Sequence, residues 1–228
     1  GPGKSVTIGA STQDINYECI AVNGAIDLII TGDTGTSLTL NKTYCGAALS
    51  ATKGNITITD GVKVTASFKN KAVGNYVFYA IWAKNLTVSG ANTEVTASGN
   101  CEDAIHVSGT VTVSKGAKLT ATNDHNDRYK PYPITKSSAI NSNVLTIADE
   151  NSCVIAQAID SLYGKPLRIQ NYNIAGAIVK AGSSNYYSTE TTIDKIDGNI
   201  YVKISIPALE KDSYVSIAGD PAVVGVET

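Results

Sequence analysis

The sequence predicts an all-β protein, a right-handed parallel β-helix with three short strands per coil, about six coils and a C-terminal capping β segment. Three observations predict this class: a short motif recurs along the chain, two alternating segments follow each copy, and glycines separate those segments. Right-handedness is the usual sense of a parallel crossover. Coils that stack in this way present flat arrays of side chains on their outer faces.

The recurring motif is an alanine, an aliphatic residue, a variable residue and then a small one. Its six copies begin at Ala21, Ala48, Ala80, Ala104, Ala139 and Ala158. The copies are unevenly spaced, as expected when coils stack on one another and their corners accept insertions. Each copy is interpreted as the first strand of a coil.

A second and a third strand follow each copy of the motif. In the third coil they read Leu86-Thr87-Val88-Ser89 and Val95-Thr96-Ala97. Apolar and polar residues alternate in both, so one face of each strand is predicted to be buried and the other to face water. The turns between the two strands carry glycines, which tolerate positive φ: Gly32, Gly61, Gly90 and Gly116.

The repeat divides the chain into three parts. Residues 1–14 are interpreted as a tag remnant, Gly1-Pro2, and an N-terminal cap; residues 15–182 form the β-helix; residues 183–228 form a C-terminal cap or edge strands. Within the last part, residues 200–206 alternate cleanly. They predict a strand that caps the last coil or pairs along its edge.

The composition limits the partners. Charged residues make up 17% of the chain and the formal net charge is −2, with no basic cluster, so nucleic acid is not an expected partner. No run of 18 apolar residues occurs, so no membrane insertion is expected. Because methionine is absent, we interpret the chain as a piece of a larger multidomain protein. We expect it to be secreted or displayed on a bacterial cell surface.

One segment resembles a known family. Residues 101–109 read CEDAIHVSG, and residues 112–120 read TVSKGAKLT. These two segments resemble the coils of the bacterial cellulosome-associated carbohydrate-binding β-helix domain family, although Ala104 stands where that family favours glycine. The resemblance covers residues 15–182 at the level of the repeat. It implies a pectate-lyase-like fold and an association with acidic or cellulosic plant polysaccharides and with calcium.

The first strands predict a binding face. If Ile105 and Val107 point inward, His106 points outward. The same register predicts one outward row, which consists of Asn23, Ser50, Trp82, His106, Asn141 and Asp160. A tryptophan on a flat sheet stacks on the C–H faces of sugar rings, and the polar members of the row can bond sugar hydroxyls. We therefore expect a polysaccharide or a host or plant glycan as the partner, unless the preceding insertion covers Trp82.

Two long insertions, residues 67–79 and 122–138, leave the coils at the same corner. Insertions gathered on one side of a solenoid often mark its binding face. The tyrosines that they bring to this edge are Tyr76, Tyr79, Tyr129 and Tyr132. We expect these rings to border a groove beside Trp82.

The second insertion contains a candidate calcium site. Asp124, Asn126 and Asp127 offer several oxygen ligands, and Glu102 and Asp103 lie one corner away. Ca²⁺ binds six to eight oxygens. The alternative is a solvated polar loop, and the sequence requires no cofactor.

The four cysteines do not form a metal-binding pattern. Cys19 and Cys45 stand at similar offsets before their coils and are expected to stack about 4.8 Å apart, which is within disulfide range. The sequence predicts either one Cys19–Cys45 disulfide or none.

Catalysis is not predicted. A pectate-type lyase would need a basic residue beside calcium-bound uronate, and the only arginines are Arg128 and Arg168. A glycosidase needs clustered carboxylates, of which the predicted row holds only Asp160. The sequence thus favours a non-catalytic carbohydrate-binding module. The alternatives are a structural spacer or adhesin segment of a large surface protein and a polysaccharide lyase-like enzyme.

Overall fold

A computed structural model describes residues 5–10, 19–43, 46–69, 78–100, 102–124, 137–159 and 164–208. The fold is all-β with 65% strand, and its parallel sheets form a β-solenoid of about four turns. The predicted fold class, a parallel β-helix, is confirmed. None of the described segments forms a helix long and apolar enough to cross a membrane.

The strands follow one another along the chain with only one short 3-10 helix, Ile193–Lys195, among the described residues. They are β1 (Ser5–Ala10), β2 (Ile20–Ala21), β3 (Leu28–Thr31), β4 (Ser37–Lys42), β5 (Gly46–Thr59), β6 (Lys63–Phe68), β7 (Phe78–Ser89), β8 (Glu94–Gly99), β9 (Ile105–Ser114), β10 (Lys118–Asn123), β11 (Ser137–Ile147), β12 (Cys153–Ala158), β13 (Gly164–Asn173), β14 (Ile178–Gly182), β15 (Ser188–Thr191) and β16 (Tyr201–Ser205).

Two sheets face each other across the interior. The seven-stranded sheet has the order β13-β11-β9-β7-β5-β2, with β3 also paired to β5, and all its pairings are parallel. The nine-stranded sheet has the order β1-β4-β6-β8-β10-β12-β16-β14-β15 and is parallel from β1 to β12. Each complete coil contributes one long strand to the first sheet and one short strand to the second.

Each complete coil therefore has two strands, whereas the sequence predicts three. The first and second predicted strands of a coil form one long strand, as in β7, where the register against β9 shifts between Ala83 and Leu86. Ala83 and Leu86 are buried, whereas Lys84 and Asn85 between them are not. Lys84 and Asn85 both face outward, which interrupts the alternation of buried and exposed residues. The sequence pattern therefore resembles two strands, although the backbone of β7 is one strand paired with β9 on both sides of the shift.

A row of side-chain hydrogen bonds crosses the coils at this register shift. Asn55 Nδ2 donates to Asp27 Oδ1 (2.9 Å), and Asn85 Nδ2 donates to Asn55 Oδ1 (2.7 Å). Asn85 Oδ1 accepts the backbone N–H of Thr110 (2.8 Å). Polar backbone groups that the irregular pairing leaves without a strand partner are satisfied here by side chains.

The core lies between the two sheets. Equivalent apolar residues of successive coils stack on one another with no exposed surface, as Ile56, Leu86, Val111 and Leu145 do in the seven-stranded sheet. The facing row in the nine-stranded sheet consists of Val64, Val95, Leu119 and Val154. Burial of one coil against the next is the principal stabilising contribution in a solenoid.

The regular solenoid is shorter than the six predicted coils because both ends depart from the repeat. At the N-terminal end, the first long strand is divided into β2 and β3, and β1 adds a strand beyond β4. At the C-terminal end, β16 lies between β12 and β14 and is antiparallel to both. Residues 200–206, predicted to cap the last coil or pair along its edge, contain this strand.

Candidate functional site

Five side chains form an outward row across the long strands of the seven-stranded sheet. The row consists of Ser50 on β5, Trp82 on β7, His106 on β9, Asn141 on β11 and Arg168 on β13. The residues on either side of each member along its strand are buried or half-buried. Because side chains alternate along a strand, the members of the row are directed to the outer face. Ser50 is buried there, at 3% exposure, so this predicted binding residue is covered, whereas the other four members are half-buried.

The predicted row was correct in its middle and wrong at both ends. Ser50 pairs with Ala21 and not with Asn23, which lies beyond the end of β2. Asn141 pairs with Arg168. Asp160, predicted for that position, lies outside the described residues and follows β12 of the other sheet. The last position of the row therefore holds a guanidinium where a carboxylate was expected.

An aromatic cluster lies at the middle of the row. The rings of Tyr79 and His106 are stacked, with centroids 4.6 Å apart and planes 19° apart. Tyr79 also meets Trp82 edge to face, with centroids 5.3 Å apart. Trp82 and His106, predicted to be neighbours, are 6.5 Å apart in the same edge-to-face manner. Trp82 and His106 are half-buried, whereas Tyr79 is buried.

A bulge at the start of β7 brings Tyr79 into this cluster. The backbone N–H groups of Ala80 and Ile81 both donate to Ala104 O, at 3.0 Å each. Two successive amides on one carbonyl break the strict alternation, which would otherwise turn Tyr79 inward beside Ile81. Its ring lies instead against the outward side chains of Trp82 and His106.

Asp103 supports the row from beneath. Its side chain is 5% exposed, and its Oδ2 lies 2.9 Å from His106 Nδ1 and 2.8 Å from Asn141 Nδ2. Its Oδ1 accepts a hydrogen bond from the Ser138 hydroxyl (2.5 Å). One buried carboxylate therefore orients two adjacent members of the row through charge-assisted hydrogen bonds.

The Tyr79 hydroxyl bonds the carboxylate of Glu102. Burial, followed by the negative charges of Glu102 and Asp103, raises the pKa of Tyr79 far above its ordinary value. The phenol therefore keeps its proton throughout the physiological range, and its hydroxyl is already engaged as a donor.

Arg168 is the member of the row that the sequence interpretation missed. It is half-buried, and its Nη2 donates to Ser137 O (3.5 Å). Among the residues that the structure describes, no carboxylate forms an ion pair with it. A guanidinium has five N–H donors, so most of them remain available to a ligand. The signal for its position is the segment Leu167-Arg168-Ile169, in which a polar residue stands between two apolar ones.

The predicted calcium ligands are only partly described. The Glu102 carboxylate bonds the Tyr79 hydroxyl. The Asp103 carboxylate accepts hydrogen bonds from His106, Ser138 and Asn141. Asp124 is exposed, and its amide donates to Gly99 O (2.7 Å), while Asn126 and Asp127 lie outside the described residues. Within the described part of the chain, no three His, Cys, Asp or Glu residues are grouped to hold a metal. The calcium site stays a prediction.

Two further predictions fall on residues that are not described. Tyr76, Tyr129 and Tyr132, expected to border the groove, lie in ranges 70–77 and 125–136. Cys45 is likewise outside the described residues, and Cys19 Sγ donates to Asn41 O (3.4 Å). The groove border and the Cys19–Cys45 disulfide stay predictions.

No protein-family model, curated protein or solved structure matches this chain. The resemblance of residues 101–120 to the cellulosome-associated carbohydrate-binding family stays a prediction from a short segment. A β-solenoid alone specifies no activity, and any function depends on the side chains of the site.

Proposed function

We propose that the outward row is the binding surface of a non-catalytic carbohydrate-binding module. The observation that supports this proposal is Trp82, the only tryptophan of the chain, half-buried on a flat sheet in line with His106, Asn141 and Arg168. A spacer has no need of an aromatic ring and three hydrogen-bonding side chains in one row.

The chemistry of the row suits a sugar. An indole ring stacks on the C–H face of a pyranose, and the neighbouring imidazole, amide and guanidinium can bond ring hydroxyls. Adjacent strands lie about 4.8 Å apart, so Trp82 and Arg168, three strands apart, are separated by roughly 14 Å. A surface of this length favours an extended oligosaccharide over a single sugar.

The row is held rigidly, which lowers the entropic cost of binding. Its members lie on strands that pair on both sides or at the sheet edge, and Tyr79 contacts both Trp82 and His106. Asp103 fixes His106 and Asn141 from beneath. We propose in addition that the module belongs to a secreted or cell-surface bacterial protein, in keeping with its low content of charged residues.

The proposal is tested by isothermal calorimetry with cellohexaose, xylohexaose, mannohexaose and oligogalacturonate, each with and without Ca²⁺. At least one glycan is expected to bind, and Trp82→Ala is expected to weaken that binding at least tenfold. Tyr186→Ala is the matched control, because Tyr186 is 92% exposed and lies away from the row on the turn between β14 and β15. Absence of binding, or equal binding by Trp82→Ala, would support the spacer or adhesin alternative.

A further inference from the structure

We infer that Asp103 makes the row selective for sugars with two neighbouring free hydroxyl groups, because it turns two hydrogen-bond acceptors toward the ligand. The inference deepens the proposed function and depends on it. Three hydrogen bonds to Asp103, from Ser138, His106 and Asn141, are its starting point.

The first step is the orientation of His106. A carboxylate accepts hydrogen bonds and donates none, so the ring nitrogen that faces it has to carry a proton. Nδ1 of His106 faces Asp103 Oδ2 at 2.9 Å. In the neutral ring the proton is therefore on Nδ1, and Nε2 keeps its lone pair. No described residue donates to Nε2, so this acceptor is available on the outer face.

The second step is the orientation of Asn141. The same carboxylate oxygen receives the amide group of Asn141 at 2.8 Å, so the atom that faces it is Nδ2. The amide oxygen consequently lies on the other branch of the side chain, and no described residue donates to it. Asn141 thus presents a second acceptor.

The third step is the spacing of these two acceptors. His106 and Asn141 pair directly across β9 and β11, so their side chains rise from the sheet about 4.8 Å apart. Trp82 occupies the next position in the row on the other side of His106. A sugar ring that reaches over Trp82 therefore meets two acceptors in sequence, and neighbouring hydroxyls are the donors that a glycan can supply to both.

Tyr79 reinforces this selection. Its ring is stacked on His106, which restricts rotation of the imidazole, and its hydroxyl is engaged by Glu102. The hydroxyl group of Tyr79 therefore does not compete as a donor for Nε2. A glycan whose hydroxyls are methylated has no proton to give and leaves both acceptors without a partner, which costs binding free energy.

The positioning is tested first in the free protein by NMR of the histidine ring nitrogens, at a pH where their signals no longer titrate. The chain has two histidines, and a His125→Gln variant assigns the signals. His106 is expected to be protonated at Nδ1 and bare at Nε2. A proton on Nε2, or an even mixture of the two forms, would overturn the inference whatever the ligand.

Two variants separate positioning from folding. Asp103→Leu removes the acceptor and is expected to yield mixed ring forms of His106 and at least a tenfold loss of affinity for the glycan that binds best in calorimetry. Asp103→Asn is the conservative control: its amide oxygen can face His106 and Asn141 while its NH₂ group faces the Ser138 hydroxyl. It is expected to keep the Nδ1-protonated form and most of the affinity.

The ligand side is tested with the same glycan after O-methylation, which is expected to bind the wild-type protein at least tenfold more weakly. Equal affinity for the methylated glycan would overturn the inference while the proposed function stands, provided that Trp82→Ala still weakens binding at least tenfold. If Trp82→Ala binds normally, the proposed function fails instead, and the NMR result still decides the role of Asp103.

Discussion

The ring of Tyr79 is stacked on the ring of His106, 4.6 Å between centroids, and thereby joins β7 to β9 on the outside of the solenoid. The contact depends on the bulge at Ala80 and Ile81, which brings Tyr79 over the outer face. Trp82 is held at the edge of the same cluster. The aromatic cluster thus depends on a specific backbone irregularity, the bulge at Ala80 and Ile81, and does not follow from regular strand alternation.

Removal of the Tyr79 ring should uncover Trp82. In Tyr79→Ala, the collisional quenching of Trp82 fluorescence by acrylamide is expected to increase at least twofold, because the buried ring that meets Trp82 edge to face is lost. Tyr79→Phe keeps the ring and should leave quenching unchanged. Equal quenching of the wild type and Tyr79→Ala would mean that the two rings are not in contact in solution.

The hydrogen bonds that join Asp27, Asn55 and Asn85 at the register shift of the long strands should contribute measurably to stability. Asn85→Ala removes the acceptor of the Thr110 N–H and the donor to Asn55, so we expect a loss of about 2 to 3 kcal/mol in the free energy of unfolding in urea. Asn143→Ala is the matched control: its exposed amide donates to Ser108 O and, among the described residues, to no other group, so the loss should be below about 1 kcal/mol. Similar losses in both variants would contradict a structural role for these hydrogen bonds.

Tyr172 should make the fold sensitive to alkali. Burial, and to a lesser extent the charge of Asp197, raises the pKa of Tyr172 from 10.0 to about 12. Below pH 10 both states keep the proton; between 10 and 12 only the unfolded chain ionises, so stability falls as the pH rises through this window. In Tyr172→Phe the free energy of unfolding should fall less steeply over this window. The difference in slope should be below about 1.4 kcal/mol per pH unit, because the ring of Tyr172 is partly exposed.

The measurement is urea unfolding of both proteins at several pH values from 9 to 12. Tyr186→Phe, which alters a tyrosine that is 92% exposed, serves as the control and should follow the wild type. Parallel stability curves for the wild type and Tyr172→Phe would show that Tyr172 ionises equally in both states.

Lys42 should be a destabilising residue. Its side chain is 1% exposed, and within the described part of the chain its Nζ has no hydrogen-bond partner. It is flanked across the sheet by Phe68. Lys42→Met keeps the length of the side chain and removes the unsatisfied polar group, so we expect the free energy of unfolding to rise by about 1 to 3 kcal/mol. A decrease would mean that the ammonium group is satisfied in solution.

The sequence predicted the nine-stranded sheet better than the seven-stranded one. Segments such as Val64-Thr65-Ala66 and Val95-Thr96-Ala97 pair with each other as stacked third strands, because each lies in a short strand that follows a turn with a positive-φ glycine. In the seven-stranded sheet, the shift at Lys84 and Asn85 resembles a strand end in an apolar–polar pattern, although the backbone continues to pair. Alternation therefore predicted burial correctly and the number of strands incorrectly.

The ends of the outward row show a second limit. Ala21 and Asn23 are two residues apart, and a pattern of period two cannot distinguish registers that differ by two. The motif copy at Ala158 is a different case, because Ala158 ends β12 of the nine-stranded sheet and the next strand of the seven-stranded sheet is β13. Pairing with the neighbouring coil decides the register, and it replaces Asp160 by Arg168 at the end of the row.

The support of the site could not be predicted at all. Asp103 receives donors from Ser138 and Asn141, which are 35 and 38 residues further along the chain and come close only when β9 and β11 pair. The sequence places Asp103 among the candidate calcium ligands, since nothing local to it reveals these two partners.

The most direct test of the central claim follows the fluorescence of Trp82, the only tryptophan, while oligosaccharides are added. Binding at the outward row predicts a saturable change in Trp82 emission, with protection from acrylamide and the same dissociation constant as calorimetry gives. If Trp82 is open to acrylamide and no glycan alters its emission or its quenching, the outward row is not a carbohydrate-binding surface for the glycans tested.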